Sequence, residues 1–343
     1  MNKKIIAIAI ATAMAAPVAM ADIKVSGQVG AALTFSDSDS NKGTDTDASS
    51  REMGDNGLSK IVFDGTSGNA FARVGIDTRQ IMGGGSTEIG GRAFYLGYKL
   101  SGMSISAGRM GAALAGLEGD KYNATFLELR KTAAEACTGA TTCNSFTASP
   151  VLQIAGKAGA LAYKVQLDVT DNTSSSNGQG HIAASIKGKA GSVAYFAGYN
   201  NGTGEENAAT AASAGANADG TYKGTAAVAG DEDNKDSNMK LGASMKFGKV
   251  KATLMYMATD ADGVDTTSTT VFADMGMGNG LSAGIAYGMK SSDAATDGDT
   301  FTRVAFTKSL NKGAKLFGGA TIKGDDSAGT DATVFGIGMA VKF

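Results

Sequence analysis

An all-β chain closing into a membrane-spanning antiparallel barrel is the fold class this sequence predicts, and three observations predict it. The first is the last eleven residues, 333–343, which read TVFGIGMAVKF. Thr333, Phe335, Ile337, Met339, Val341 and Phe343 share one strand face; Val334, Gly336, Gly338, Ala340 and Lys342 share the other. Protein termini are usually polar and frayed. Large side chains toward lipid and Gly, Ala and Lys toward water is the alternation of a transmembrane barrel strand. The second observation is that this period of two recurs along the chain, where a helix would repeat every three to four residues. The third is that short, tight connections take turns with long polar ones, as in barrels of outer membranes.

In chain order, a first strand is expected at 22–36. There Ile23, Val25, Val29, Ala31, Leu33 and Phe35 oppose Lys24, Ser26, Gln28, Gly30 and Thr34. Strands 57–66 and 69–80 flank the tight turn at 66–69, and 90–100 and 103–110 flank Ser101-Gly102. Strand 150–158 starts at Pro150, where a missing N–H does least harm, and 157–159 turn it into 160–171. In the latter, Tyr163, Val165, Leu167 and Val169 alternate with Lys164, Gln166 and Asp168. Strands 180–188 and 191–199 meet through 188–191, and 238–247 and 249–258 through Phe247-Gly248-Lys249. Strands 269–277, 280–290, 300–309, 314–323 and 332–343 complete a set of sixteen, an even number that puts both ends on one side. Long connections are expected at 37–56, 111–149, 200–237, 260–268, 291–299 and 324–331. A soluble two-sheet sandwich is the competing fold. It needs a second apolar layer, whereas the inward positions here are repeatedly Gly, Ser, Thr and Lys.

Residues 1–21 carry Lys3 and Lys4, an apolar stretch at 5–16 and small residues at Ala19-Met20-Ala21, the pattern of a cleaved secretory signal peptide. The run is shorter than the ~20 apolar residues of a spanning helix. The mature chain, 22–343, is 322 residues and is expected to form one domain. Without Lys3 and Lys4 it carries 29 basic against 33 acidic residues, a formal charge of −4 that argues against a nucleic-acid partner. Cys137 and Cys143 are the two cysteines. In an oxidising compartment they predict a small disulfide loop, and two thiolates without a nearby His make a poor metal site. Neither a metal nor a cofactor is expected. The Asp-rich loop runs, such as Asp231-Glu232-Asp233, lack EF-hand spacing. Residues 83–87 (GGGST) lack the G-K-[ST] step of a phosphate loop. His181, the single histidine, takes the lumen parity of Ser185 and Lys187, which disfavours a catalytic triad. No enzyme activity is expected.

The residues also carry a resemblance. VSGQVG at 25–30, SKIVFDG at 59–65, RAFYLGY at 92–98, AGRM at 107–110 and the terminal Phe occur in an order and spacing that resembles the 16-stranded, trimeric general-diffusion porins of Gram-negative outer membranes. The likeness covers essentially the whole mature chain. It implies a bacterial outer-membrane channel for ions and small hydrophilic solutes, in contact with outer-membrane lipid and lipopolysaccharide. It implies a homotrimer, and a role for Phe343 as the signal read by the barrel-assembly machinery. It also implies an inward-folded constriction loop at 111–149, containing a helix-like stretch at 123–135. By position, Lys60 and Arg92 match the family's basic places, and Glu118, Asp120 and Glu128 lie where the loop acids would be. Lys24, Gln28, Asp77 and Lys164 are expected to line the lumen.

Three departures bear on selectivity. Gln28 stands where many relatives carry a base, Asp64 replaces a common Lys, and the usual constriction-loop motif is not evident. Strict alternation also puts Arg92 in phase with Phe94, so a lumen position for it requires a bulge or twist. Two other functions stay open: a substrate- or anion-selective channel (for phosphate, for example), given lumen lysines such as Lys187, Lys240, Lys246 and Lys251, and an adhesin acting through the long loops.

Overall fold

A computed structural model describes residues 22–40, 46–54, 59–78, 90–117, 150–168, 179–203, 214–216, 222–224, 235–261, 264–293, 299–325 and 331–343. The strands are β1 (Asp22–Ser40), β2 (Thr46–Gly54), β3 (Lys60–Ser67), β4 (Ala70–Asp77), β5 (Gly90–Leu100) and β6 (Met103–Arg109). They continue with β7 (Val151–Ala158), β8 (Leu161–Asp168), β9 (Gln179–Ala190), β10 (Val193–Thr203), β11 (Ala214–Ala216), β12 (Tyr222–Gly224) and β13 (Lys235–Phe247). The last are β14 (Val250–Ala261), β15 (Val264–Gly278), β16 (Leu281–Ser292), β17 (Asp299–Ser309), β18 (Ala314–Asp325) and β19 (Asp331–Lys342).

Setting aside β2 and the separate β11–β12 pair, sixteen strands run antiparallel, each beside its chain neighbour, and β19 returns to β1. Ala31 lies opposite Met339 and Phe35 opposite Phe335, the last two rings stacked at 4.7 Å. Closure leaves no sheet edge, which is what allows backbone to cross a hydrocarbon layer. β1 forks: its first residues pair with β3 and its last with β2, so a hairpin stands above the barrel wall on the side of the long connections. The predicted long connection at 260–268 is instead a tight one, since β14 and β15 stay paired out to Ala261 opposite Val264. Its hydroxyl-rich end (Thr266, Thr267, Ser268) is strand-compatible, although its polarity resembles a loop.

Outward positions are apolar and exposed, among them Val29, Leu33, Ile182, Leu254, Ile285 and Ile337. Aromatic residues cluster toward both ends of this face. Tyr98, Tyr195 and Phe247 stand near the short turns, and Tyr199, Tyr256, Tyr287 and Phe335 nearer the long connections. Such belts mark the two membrane interfaces.

The inner wall departs from the expected Gly, Ser, Thr and Lys lining. Phe272, Phe301 and Phe317 form a buried apolar cluster with Ala32, Ala286, Ala305 and Ala340 on β15–β19 and β1. The physical reason is glycine. Phe301 lies over Gly288, Phe317 over Gly338 and Phe196 over Gly242, each the directly opposite residue of the next strand. A Cβ at any of these glycines would overlap the ring. Inward glycine is therefore a seat for an aromatic side chain laid flat on the wall, a cross-strand device that also fixes register.

Candidate pore constriction

The chain turns into the barrel directly after β6. Gly108 has φ 127°, and a Cβ there would meet the Phe94 carbonyl, so glycine is required where the strand bends. The segment that follows is buried: Met110, Ala112, Ala113 and Leu114 are all at most 3% exposed. Three side chains on the opposite strands hold its backbone. Gln166 Nε2 donates to the Gly111 carbonyl at 2.8 Å, Ser185 Oγ to Ala113 at 2.8 Å and Lys240 Nζ to Leu114 at 3.3 Å. Leu114 and Leu117 sit over Gly198, where a Cβ would lie 2.8 Å from Leu114 Cγ and 3.0 Å from Leu117 Cδ1. Leu117 also packs on Phe196, Met255 and Met257. Residues 111–117 thus cross the lumen side of β8, β9, β10 and β13, as an inward-folded loop must at its start.

Beside Gly111 lies a lumen cavity of about 410 Å³, lined by Lys60, Arg73, Tyr95, Ser104, Ser106, Gln153 and Lys164 among others. A relay of amides and hydroxyls braces it: Gln153 Nε2 donates to Ser106 Oγ at 3.4 Å, and Gln166 Nε2 to Gln153 Oε1 at 3.0 Å. Arg73 meets Asp64 with two bonds, Nε–Oδ1 at 2.6 Å and Nη2–Oδ2 at 3.0 Å. Lys24, Asp64, Arg73 and Tyr95 form one directly opposed row across β1, β3, β4 and β5. Asp64, a departure in the sequence, therefore stands against an arginine one strand over.

Lys60 and Lys164 face this cavity, and Gln28 is buried opposite Lys60. Lys24 is exposed on the same inner face. Arg92 is the extra residue of a β-bulge: Gly75 pairs with Ala93 and Ile76 with Gly91, leaving Arg92 between them. A bulge of this kind re-aims a side chain relative to strict alternation. Asp77 is opposite Lys60 in the backbone register. The side chains of Arg92, Asp77 and His181 lie outside the described residues, as do Glu118, Asp120, Glu128, Cys137, Cys143, the stretch 123–135 and the signal segment.

Two arginines escaped the sequence reading. Arg73 lies on the inner face of β4, between Phe71 and Gly75. Arg303 is 2% exposed on the inner wall, its guanidinium 4.9 Å from the Phe301 ring centre and its Nε donating to Thr321 Oγ1 at 3.1 Å. Strict alternation in β4 and β17 places both on the inner face. Charges on a narrow, low-dielectric wall act more strongly than in bulk water, and such rings set which ions a pore favours.

Residues 7–343 match the family model described as Gram-negative porin. No curated protein matches the chain in sequence. Among solved structures, the anion-selective porin from Comamonas acidovorans superposes with a TM-score of 0.71 at 14% identity, over 94% of this chain and 100% of that one. OmpF of Salmonella typhi, solved with daunomycin, gives 0.65 at 15% identity, over 94% and 100%. The trimer form of OmpT, an outer membrane protein of Vibrio cholerae, gives 0.60 at 13% identity, over 94% and 99%. At these identities the structures share the fold, and the family model adds the lineage. With a closed sixteen-strand barrel and a loop folded onto its inner wall, the chain belongs to the Gram-negative porin family, whose members are passive diffusion channels of the bacterial outer membrane.

Proposed function

We propose that this porin is a non-catalytic homotrimeric channel that favours anions among the small hydrophilic solutes it passes. The observation that carries the reading is the lumen face of the described strands, where basic side chains outnumber acidic ones. Lys24, Lys60, Arg73, Lys164, Lys187, Lys246 and Lys251 are set against Asp64, Asp168 and Asp274. A wall of that sign concentrates anions and repels cations within a Debye length. The mature chain as a whole is acidic, so net charge alone would give the opposite sign. Trimeric assembly is supported by the family and by the trimer form of the Vibrio cholerae relative. Export through residues 1–21, insertion by barrel-assembly machinery through Phe343, contact with lipopolysaccharide, and a Cys137–Cys143 disulfide complete the proposal, with Arg92, Glu118, Asp120 and Glu128 at the constriction.

Planar-bilayer recording in a salt gradient tests it. Conductance should rise in groups of three equal steps, with a reversal potential on the anion side. Lys60→Glu and Lys164→Glu should each move that potential toward cations. A cation-side reversal potential in the unmodified channel would overturn the anion preference, and absence of conductance would overturn the channel.

A further inference from the structure

The lumen cavity beside Gly111 has two unlike walls. One is aromatic: Phe71 and Tyr95 meet edge to face, with ring centres 6.3 Å apart and an interplanar angle of 78°. Gly97 lies opposite Phe71, and a Cβ there would overlap the ring, so this glycine seats Phe71 against the wall. The other wall is polar, where Ser106, Gln153 and Lys164 face the space from β6, β7 and β8. Arg73 stands between the two, opposite Tyr95 and two residues on from Phe71. The hydrogen bonds already made leave donors over rather than acceptors. Asp64 takes two N–H groups of the Arg73 guanidinium and leaves the rest. Gln153 donates one N–H to Ser106, and its carbonyl accepts from Gln166. Ser106 gives its own proton to Met110 Sδ at 3.7 Å. Lys164 makes no hydrogen bond or ion pair among the described residues. Lys187 stands diagonally across from it, opposite Ala162 while Lys164 is opposite Ser185, and adds a second charge of the same sign. Among the described residues no carboxylate lines the cavity.

We infer that this cavity is a saturable site for a small organic anion with a flat apolar body, an aryl carboxylate. Its ring lies against Phe71 and Tyr95, and its carboxylate points to Lys164, Arg73 and Gln153. The inference rests on the anion-favouring channel reading of the same lumen and adds a chemical class to it. A positively charged wall by itself draws in anions by their charge alone. An inorganic anion gains nothing from the rings, and a neutral arene gains nothing from the cations. An aryl carboxylate engages both. Edge-to-face or offset ring contacts add to the burial of area, and charge-assisted hydrogen bonds to a carboxylate are roughly twice as strong as neutral ones. The volume of about 410 Å³ falls within the roughly 300–1,000 Å³ of small-molecule sites. Because Gly111 lines the cavity, an occupant stands beside the inward-folded loop and narrows the passage there.

Planar-bilayer currents of the full chain in potassium chloride at neutral pH, with benzoate added, test this. Benzoate should lower the current along a saturating curve. Its half-blocking concentration should lie about tenfold or more below those of acetate and inorganic phosphate. Benzyl alcohol, which has the ring without the charge, should block no better than acetate. Lys164→Gln should raise the half-blocking concentrations of benzoate and acetate together. Phe71→Leu and Tyr95→Leu should each raise that of benzoate alone and so narrow the gap between the two. If no variant inserts, the comparison of the four solutes in the unmodified channel decides the matter. A response to benzoate that does not saturate, or block by acetate or benzyl alcohol equal to that by benzoate, would overturn the site. A benzoate curve unchanged in all three variants would overturn its location. The reversal potential keeps the two readings apart. An anion-side potential without saturable block overturns the site and leaves the anion preference standing. A cation-side potential overturns that preference, and the block series then judges the site by itself.

Discussion

Phe343 lays its ring over Gly27 and exchanges two backbone hydrogen bonds with it, Gly27 N–H to the Phe343 carbonyl at 3.0 Å and Phe343 N–H to the Gly27 carbonyl at 3.1 Å. The last residue of the chain is thereby the last rung of the seam between β19 and β1. A Cβ at position 27 would occupy the ring's place. Gly27→Val should displace the aromatic and weaken both bonds, each worth about 0.5–1.5 kcal/mol net. Phe343→Ala removes the ring and leaves both backbone bonds possible. Heat-modifiability on gels should therefore show Gly27→Val barrels unfolding at lower temperature than Phe343→Ala barrels, whose defect should appear chiefly in insertion yield. Pores that do form should conduct as the unmodified protein does.

The Arg73–Asp64 pair makes a second expectation. Its side chains are 43% and 31% exposed, so solvent screening limits its contribution to stability to about 1 kcal/mol or less. Its effect on permeation is larger, because Asp64 offsets a positive charge on the cavity wall. Asp64→Asn should leave thermal stability nearly unchanged and move the reversal potential toward anions. Arg73→Gln should move it toward cations. An unchanged reversal potential in both variants would show that the pair does not face the ion path.

The anchoring of residues 111–117 predicts a change in noise rather than in sign. Ser185→Ala removes the donor to Ala113, and Lys240→Met the donor to Leu114. Leu114→Ala empties a site only 1% exposed, where such truncations cost about 2–5 kcal/mol in well-packed cores. Each change loosens the loop from the inner wall without touching the strand ladder. Single-channel traces should show added flicker, greatest for Leu114→Ala, and hydrogen exchange at 111–117 should quicken while the barrel strands stay protected.

The barrel was legible because its rules are local. Alternation in 333–343 and 22–36 placed the closing pair, and the scarcity of side chains at Gly68, Gly102, Gly159, Gly191 and Gly248, all with positive φ, marked the tight turns. Where one strand's polar face also served as a rim, the signal failed: Thr266, Thr267 and Ser268 read as loop and are strand. Arg92 needed a bulge that alternation demanded but composition could not locate, and the register supplies it. The start of the inward-folded loop was legible only in place, directly after β6. Which wall residues meet residues 111–117 depends on strands up to 126 positions away, as with Lys240 and Leu114, and no local pattern encodes that meeting. The inward rings were missed for a related reason. An aromatic at a lumen position looks misplaced until its partner glycine on the neighbouring strand is known.

That partnership gives a sharp contrast between glycines of identical secondary structure. Gly288 and Gly65 both sit inside paired strands, and neither has positive φ. At Gly288 a new Cβ would overlap the Phe301 ring, which is itself 3% exposed and carries Arg303 above it. At Gly65 a Cβ would meet nothing within 4 Å. Gly288→Ala must therefore push Phe301 into the lumen or shift β16 against β17, a strain of about 1–3 kcal/mol. Gly65→Ala should be neutral or slightly stabilising, since alanine reduces the freedom of the unfolded chain. Urea titration of the two variants should separate them by that margin. Gly288→Ala should also lower single-channel conductance, because the displaced ring and the guanidinium it supports would move toward the ion path. Matching stabilities for the two variants would mean that the ring yields without resistance and that glycine on the inner wall is mere filler.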